Sequence, residues 1–404
     1  MNVGLVRFVD RKIGVPLCCA AAFAQKVSPR RWLGRERAAQ ALTYPRKILM
    51  MKWVGFGNLI LASPAVAAFR EKFPDAEITF VTISANRGLL ERYPMVDHVH
   101  YFNVTGLRSV VHETLRLLRF MYRERFDMVV DFEQFSRYSA LIAGLGNAPV
   151  RVGFATAGQG RSGVYSHPVE YRDGVHMADV FCDLARAVGG VPRPEGLAEF
   201  SLSDADLLKA EAFLGAEGLL DRPFVVIHPG TGENAPQRRW PAERFAELAD
   251  QIIQESGMAV VFSGSPREKE LVDSVRGRMK SPASSTAGLL NLSAFAAVLQ
   301  SAQMIVCADT GPVHLAAALQ VPAVAFYGPN DPTLYGPVGA QNTVLYRNLP
   351  CSPCITNFND KSTNCPHGEC IQGITVEETY LAIQRRPVRR IPGGPSGTGS
   401  QRVV

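Results

Sequence analysis

The N-terminal apolar run, Val15 to Ala24, is only about half as long as a membrane-spanning helix needs. Gln25, Lys26 and Val27 follow it and offer no small-residue cleavage site, so a secretory signal is disfavoured. The segment after residue 384 has no acid at all, only five arginines among Gly, Pro and Ser. That composition cannot form a core, and residues 385–404 read as a disordered basic tail. Residues 1–47 carry ten Lys or Arg against two acids, which leaves a net charge of −7 for residues 48–384 of a chain whose total is +6. An acidic body excludes a general nucleic-acid-binding surface.

What remains is a globular composition. With 404 residues, 47% hydrophobic and 20% charged, the chain is long enough for two domains of roughly 150 residues each. The leader, residues 1–45, joins its short apolar run to basic residues on both sides. Two readings stand equal: a segment lying in the interface of an anionic membrane, or a surface helix packed on the protein itself.

From Lys47 the chain alternates. KILMMKWV (47–54) reads as a strand running into Gly55, Phe56 and Gly57, Leu59 to Lys72 as a helix, and Glu77 to Ser84 as the next strand, one βαβ unit. Strands are expected at Val99–Phe102 and Asp127–Asp131, helices at Leu107–Arg123 and Arg137–Leu145, and a mobile Gly-rich loop at Ala155–Gly163. The rhythm restarts with the strand FVVIH (224–228), a helix Ala242–Glu255 and a strand Ala259–Ser263. The fold class is therefore α/β with two Rossmann-like halves, 46–210 and 222–384, their boundary lying near 200–222.

Ligands in such sheets bind at the carboxyl ends of strands. Three ends in the second half carry conspicuous loops: HPGTG (228–232), SGSPRE (263–268) and ADTG (308–311). In the last, a buried strand Met304–Cys307 ends in Asp309, Thr310 and Gly311 before a helix opening at Pro312. Free amides and the positive end of the helix dipole favour phosphate there by about 0.3–1 kcal/mol each. Gly230 and Gly232 have no Cβ, so the HPGTG backbone can approach a diphosphate closely.

These motifs, with RRWPAERFAELA (238–249), VPAVAFYGPNDP (321–332) and GFGNLILASPAVAAFREKFPDAEITFV (55–81), resemble the lipopolysaccharide heptosyltransferases, inverting glycosyltransferases of GT-B fold. The resemblance covers about Arg46 to Thr379. It implies two Rossmann-like domains facing across a cleft, acceptor on the N-terminal and nucleotide-sugar donor on the C-terminal side. It further implies transfer of a sugar, ADP-heptose being the specific expectation, onto lipopolysaccharide core or another lipid-linked envelope glycan at the cytoplasmic face of the inner membrane. Donor residues implied are Gly230, Thr231, Gly232, Thr310 and Gly311 with Asp309, a phosphate-directed Arg238 or Arg239, Glu268 near the nucleoside, and His314 near phosphate or sugar. Gly55 and Gly57 would belong to the acceptor-side loop. No DxD-like acidic pair stands where a metal would bridge the diphosphate, which fits a reaction requiring no metal or other cofactor.

Relatives carry a general-base aspartate after the N-terminal glycine loop, where this chain has Asn58. An amide cannot take a proton at neutral pH, and a general base is worth about 10²–10⁴ in rate. Asp131 and Glu133, at the end of DMVVDFE, are the next candidates for the base, with Asn58 left to hydrogen-bond an acceptor hydroxyl. Two alternatives follow: an impaired nucleotide-sugar-binding protein, or a GT-B sugar-nucleotide epimerase. Finally, Cys351, Cys354, Cys365 and Cys370, with His367 between the last two, have spacing like that of a structural zinc loop. Buried free thiols rank second and disulfides third, disulfides being rare in the cytosol expected here.

Overall fold

The computed structural model describes residues 14–27, 35–232, 236–359, 361–386 and 389. Most of the expected disordered tail, and the leader's basic residues before Gly14 and between 28 and 34, lie outside the described residues. Two compact units divide the chain, Met1–Ser201 and Leu202–Val404. The division falls at the start of the expected 200–222 window because the helix Asp204–Ala216 packs on the helix Leu292–Gln300 of the second unit. A Ser203–Asp206 capping box starts that helix.

The first unit holds a six-stranded sheet built from β1 (Lys47–Met51), β2 (Glu77–Ile83), β3 (His98–Phe102), β4 (Met128–Asp131), β5 (Val150–Phe154) and β6 (His167–Val169), in the order β3-β2-β1-β4-β5-β6. All its ladders are parallel. The second unit repeats the plan with β7 (Phe224–His228), β8 (Ala259–Phe262), β9 (Ser284–Ser285), β10 (Met304–Ala308), β11 (Ala323–Tyr327) and β12 (Thr343–Tyr346), ordered β12-β11-β10-β7-β8-β9. Read from its own first strand, this is the same topology. Each sheet reverses its winding beside its first strand, between β1 and β4 and between β7 and β10, and such switch points open crevices at the strand ends. Strand cores are buried throughout β1, β4, β7 and β10 apart from Lys47, as expected for strands covered on both faces.

Several boundaries differ from the sequence reading for identifiable reasons. The helix expected from Leu59 to Lys72 is two, Phe56–Leu61 and Ser63–Lys72, because Pro64 has no N–H to continue the first one. The helix from Ala242 stops at Gln251 and runs into a wider π turn, Ile252–Ser256, that Gly257 ends at φ 69°. The leader's Gly14–Val27 is helical and lies on the first unit against the helix Arg137–Leu145 and the turn Ser162–Val164. Cys18 is fully buried beneath it, its thiol beside the Arg137 carbonyl. Of the two readings of the leader, packing on the protein is thus realised. Among the described residues, no helix is long and apolar enough to cross a membrane.

The loop Ala155–Gly163 is not loosely held. Arg161 is 0% exposed, the Thr156 hydroxyl donates to the Gln134 carbonyl at 2.6 Å, and Arg137 Nε donates to the Gln159 carbonyl at 3.1 Å. Its glycines at 158 and 160 supply left-handed turns, φ 72° and 67°. The sequence reading took these glycines as a sign of mobility; the buried arginine is what anchors the loop.

Candidate functional site

In the second unit, parallel register places His228 beside Cys307 and Ala308 beside Phe326. The loops after β7, β10 and β11 therefore leave the sheet side by side. Arg238 ties them together. Its Nη1 donates to the Asp309 carbonyl at 2.9 Å and to Asp309 Oδ2 at 3.1 Å, and its Nη2 to the Thr231 carbonyl at 3.2 Å. Asn330, after β11, donates to the same Asp309 carboxylate. Arg238 can hold this position because Trp240, two residues on, is fully buried. The Trp240 indole donates to the Ile374 carbonyl at 2.9 Å and packs 4.8 Å from the Phe326 ring. Of the two arginines, Arg238 is in the site and Arg239 is exposed.

The loop after β8 joins through Glu268. Its carboxylate accepts from the Gly232 amide at 3.2 Å, from the Ser265 amide at 2.9 Å and from the Ser265 hydroxyl at 2.8 Å. Burial would raise this carboxyl, but His228 and the donors from Ser265 and Gly232 outweigh it and hold Glu268 below its usual range. His228 is itself pushed down by burial and shares a 3.0 Å hydrogen bond with the Ser263 hydroxyl. A Cβ on Gly230 would sit 2.1 Å from Glu268 Oε1. Glycine at 230 is thus required by the protein's own carboxylate, a constraint the sequence reading had ascribed to a ligand. Gly232 is required by its backbone, at φ 68°.

Two polar atoms in this loop set remain open. Thr231 Oγ1 and Arg238 Nε are buried and, among the described residues, make no hydrogen bond. Such orphaned donors cost about 1–3 kcal/mol each unless something occupies them, and a phosphate oxygen fits both. Thr310 is the N-cap of the helix Gly311–Ala318, extended at φ −155°, and its side chain makes no capping bond. That hydroxyl and the first-turn amides stand at the positive end of the helix. Pro312 itself contributes no amide to that turn. His314, at 4% exposed, is buried to about the same depth as Thr231 and Asp309.

In the first unit, Met51 pairs with Asp131, so the glycine loop after β1 lies next to the acids after β4. Both acids are engaged. Asp131, 0% exposed, accepts from Arg161 Nη2 at 2.9 Å, the Tyr165 hydroxyl at 2.6 Å and the Ser139 hydroxyl at 2.7 Å through Oδ2, and from the Glu133 amide at 3.0 Å through Oδ1. Burial pushes its pKa up, while Arg161, Tyr165 and Ser139 pull the other way. Glu133 pairs with the buried Lys52 at 3.2 Å and accepts from the amides of Trp53 at 2.8 Å and Val54 at 3.4 Å. Burial opposes its charge, yet Lys52 and these amides hold it below the usual carboxylate range. With four donors and no exposure, Asp131 is held by its neighbours in this structure. Glu133, partly exposed, is paired with Lys52 and shapes the glycine loop through the Trp53 and Val54 amides. Asn58, half-buried, stands on the first turn of Phe56–Leu61, packed against Gly55, whose φ of 97° only glycine adopts readily. Lys52, Ser139, Arg161 and Tyr165 were missed by sequence reasoning; a lysine immediately after a buried strand was the one available signal.

The cysteines after β12 differ in exposure. Cys351 is exposed, Cys370 buried, and Cys354 and Cys365 lie between. The Cys354 sulfur accepts from the Thr363 hydroxyl at 3.2 Å and the Cys365 sulfur from the Gly368 amide at 3.4 Å. Among the described residues no group of three or more His, Cys, Asp or Glu side chains could hold a metal ion. All four stand as free thiols, with Cys370 packed against Gly328.

Two sheets of Rossmann order, the second carrying an anion-ready loop set at its switch point, define a glycosyltransferase of GT-B fold. The chain belongs to glycosyltransferase family 9, the heptosyltransferases, whose profile matches residues 114–363. It is 24% identical to the lipopolysaccharide core heptosyltransferase OpsX of Haemophilus influenzae over 74% of this chain and 84% of that one. Its fold is similar to that of a family 9 glycosyltransferase from Veillonella parvula (TM-score 0.71, 24% identity, 85% of this chain and 97% of the other). The ADP-heptose lipopolysaccharide heptosyltransferase II of Escherichia coli is similar too (TM-score 0.68, 22% identity, 83% and 97%).

Proposed function

We propose that the protein transfers heptose from ADP-heptose onto a lipopolysaccharide core or another lipid-linked envelope glycan, with inversion and without a metal ion, at the cytoplasmic face of the inner membrane. The single observation that carries the donor side is the pair of buried open donors, Thr231 Oγ1 and Arg238 Nε, at the strand ends of a heptosyltransferase-family unit. An acceptor hydroxyl attacks the anomeric carbon, the bond to the diphosphate breaks, the nucleoside diphosphate leaves with the electron pair, and the hydroxyl's proton passes to water or to the departing diphosphate. Arg238, the Thr310 hydroxyl and the Gly311 amide bear the charge that develops on it. The first unit holds the acceptor, with Asn58 positioning its hydroxyl.

The test of the donor assignment is a metal-free calorimetric panel of ADP-, UDP-, GDP- and CDP-sugars. ADP-heptose binding is expected for the wild type and its loss for Asp309→Ala with Thr310→Ala; a folded wild type that binds none of them overturns the proposal. A second reading, a donor-binding protein with little turnover, is favoured by Asn58 itself, since Asp131 and Glu133, the two candidate carboxylates beside it, are both engaged. Asn58→Asp supplies one, and turnover is expected to rise by about tenfold or more. Unchanged turnover would place proton removal elsewhere.

A further inference from the structure

We infer that the outward faces of the helices Leu107–Glu124 and Gly14–Val27 form one docking surface for an anionic lipid bilayer. The inference rests on the lipid-linked acceptor proposed above. Both helices lie on the same side of the first unit's sheet: Leu117, Met121 and Cys18 enter a single core cluster with Leu49, Met51 and Val129. The helix Arg137–Leu145 touches both of them.

The outer side of Leu107–Glu124 is unlike that of a solvated helix. Val111, Leu115 and Tyr122 are 54%, 58% and 52% exposed. Their spacing of four and seven residues places them in one stripe along the helix. Arg108 and Arg119 flank the stripe, and Arg116 and Arg123 follow on the adjoining face, all four exposed. The helix has two acids, and neither is exposed: Glu113 is buried beneath Arg116, and Glu124 is held by Lys47. Every exposed charge on this helix is therefore positive. Gly14–Val27 adds Leu17 and Phe23, 49% and 67% exposed on the side away from the buried Cys18.

A large apolar stripe with only cationic neighbours matches an acyl boundary capped by anionic headgroups. Val, Leu, Phe and Tyr side chains enter the interface, and the arginines reach outward to phosphate. An acidic protein partner would use the arginines but leave the stripe in water. An apolar protein partner would leave the arginines unmatched. The bilayer matches both.

Flotation of the full chain with phosphatidylcholine vesicles, with and without 30% phosphatidylglycerol, tests the surface. Binding is expected only to the anionic vesicles and should weaken with salt. Each arginine near an anionic surface is worth about fivefold in partitioning, so Arg108→Ala with Arg119→Ala should weaken binding about 25-fold. Leu115→Ser and Phe23→Ser should each release protein from the vesicles. Circular dichroism and urea unfolding report that these variants are folded, and ADP-heptose binding tests the donor assignment separately, so failure of one idea is distinguishable from failure of the other. Wild-type partitioning by the arginine and Leu115 variants overturns the inference. So does a wild type that ignores anionic vesicles, or one whose Leu115 stripe is shown by sedimentation to bury a second copy of the chain.

Discussion

Asp131→Asn is expected to destabilise the first unit by about 3–5 kcal/mol, which at typical domain stabilities leaves it close to unfolding at 37 °C. The reason is the partner it abandons. Arg161 is fully buried with its Nη2 on Asp131, and its Nε and Nη1 already make no hydrogen bond among the described residues. Neutralising the carboxylate leaves a buried guanidinium without a counter-charge. The double variant Asp131→Asn with Arg161→Met should recover much of the loss, because replacing both members of a buried pair is far less costly than removing one. Urea unfolding followed by Trp53 fluorescence measures both variants, while ADP-heptose binding reports on the second unit. Wild-type stability together with a collapse of turnover in Asp131→Asn would return Asp131 to the chemistry and refute the structural role.

Arg238→Met should cut the turnover number by about 10²–10³. The guanidinium makes three contacts to two loops and keeps Nε open. Removing it takes a preorganised charge from the point where the diphosphate gains charge in the transition state. Arg238→Lys should restore little. A lysine ammonium has no planar fork and cannot span the Asp309 carboxylate and the Thr231 carbonyl together while leaving a further donor open. Steady-state kinetics with a fixed acceptor checks this. Weakened ground-state donor affinity with an unchanged turnover number would show that Arg238 binds uniformly and does not favour the transition state.

The sequence made some of this legible and hid the rest for physical reasons. Strands such as FVVIH and MIVCA are apolar runs bounded by glycine loops, and local pattern sufficed to place them. The donor loops were visible for the same reason: each is a contiguous motif at a strand end. The Asp131 network was hidden because its members come from residues 131, 139, 161 and 165, and no local pattern announces a buried arginine inside a glycine-rich loop. DMVVDFE correctly marked a strand end but not what its acids would meet. The cysteine spacing was legible too, but not the Thr363 and Gly368 donors that meet two of the sulfurs. Short strands such as β6 and β9, three and two residues long, fall below what periodicity can register.

The docked helix Gly14–Val27 changes what counts as the minimal enzyme. Its residues fill space against the Arg161 loop: a Cβ at Gly163 would lie 2.8 Å from that of Ala22, and one at Gly160 3.3 Å from a Val15 methyl. A protein trimmed to begin at the first strand, the natural choice for an expression vector that treats the leader as dispensable, would lay bare the backs of Gly160 and Gly163 and the site now sealed by Cys18. It would solubilise the apolar stretch at the cost of the wall behind Asp131.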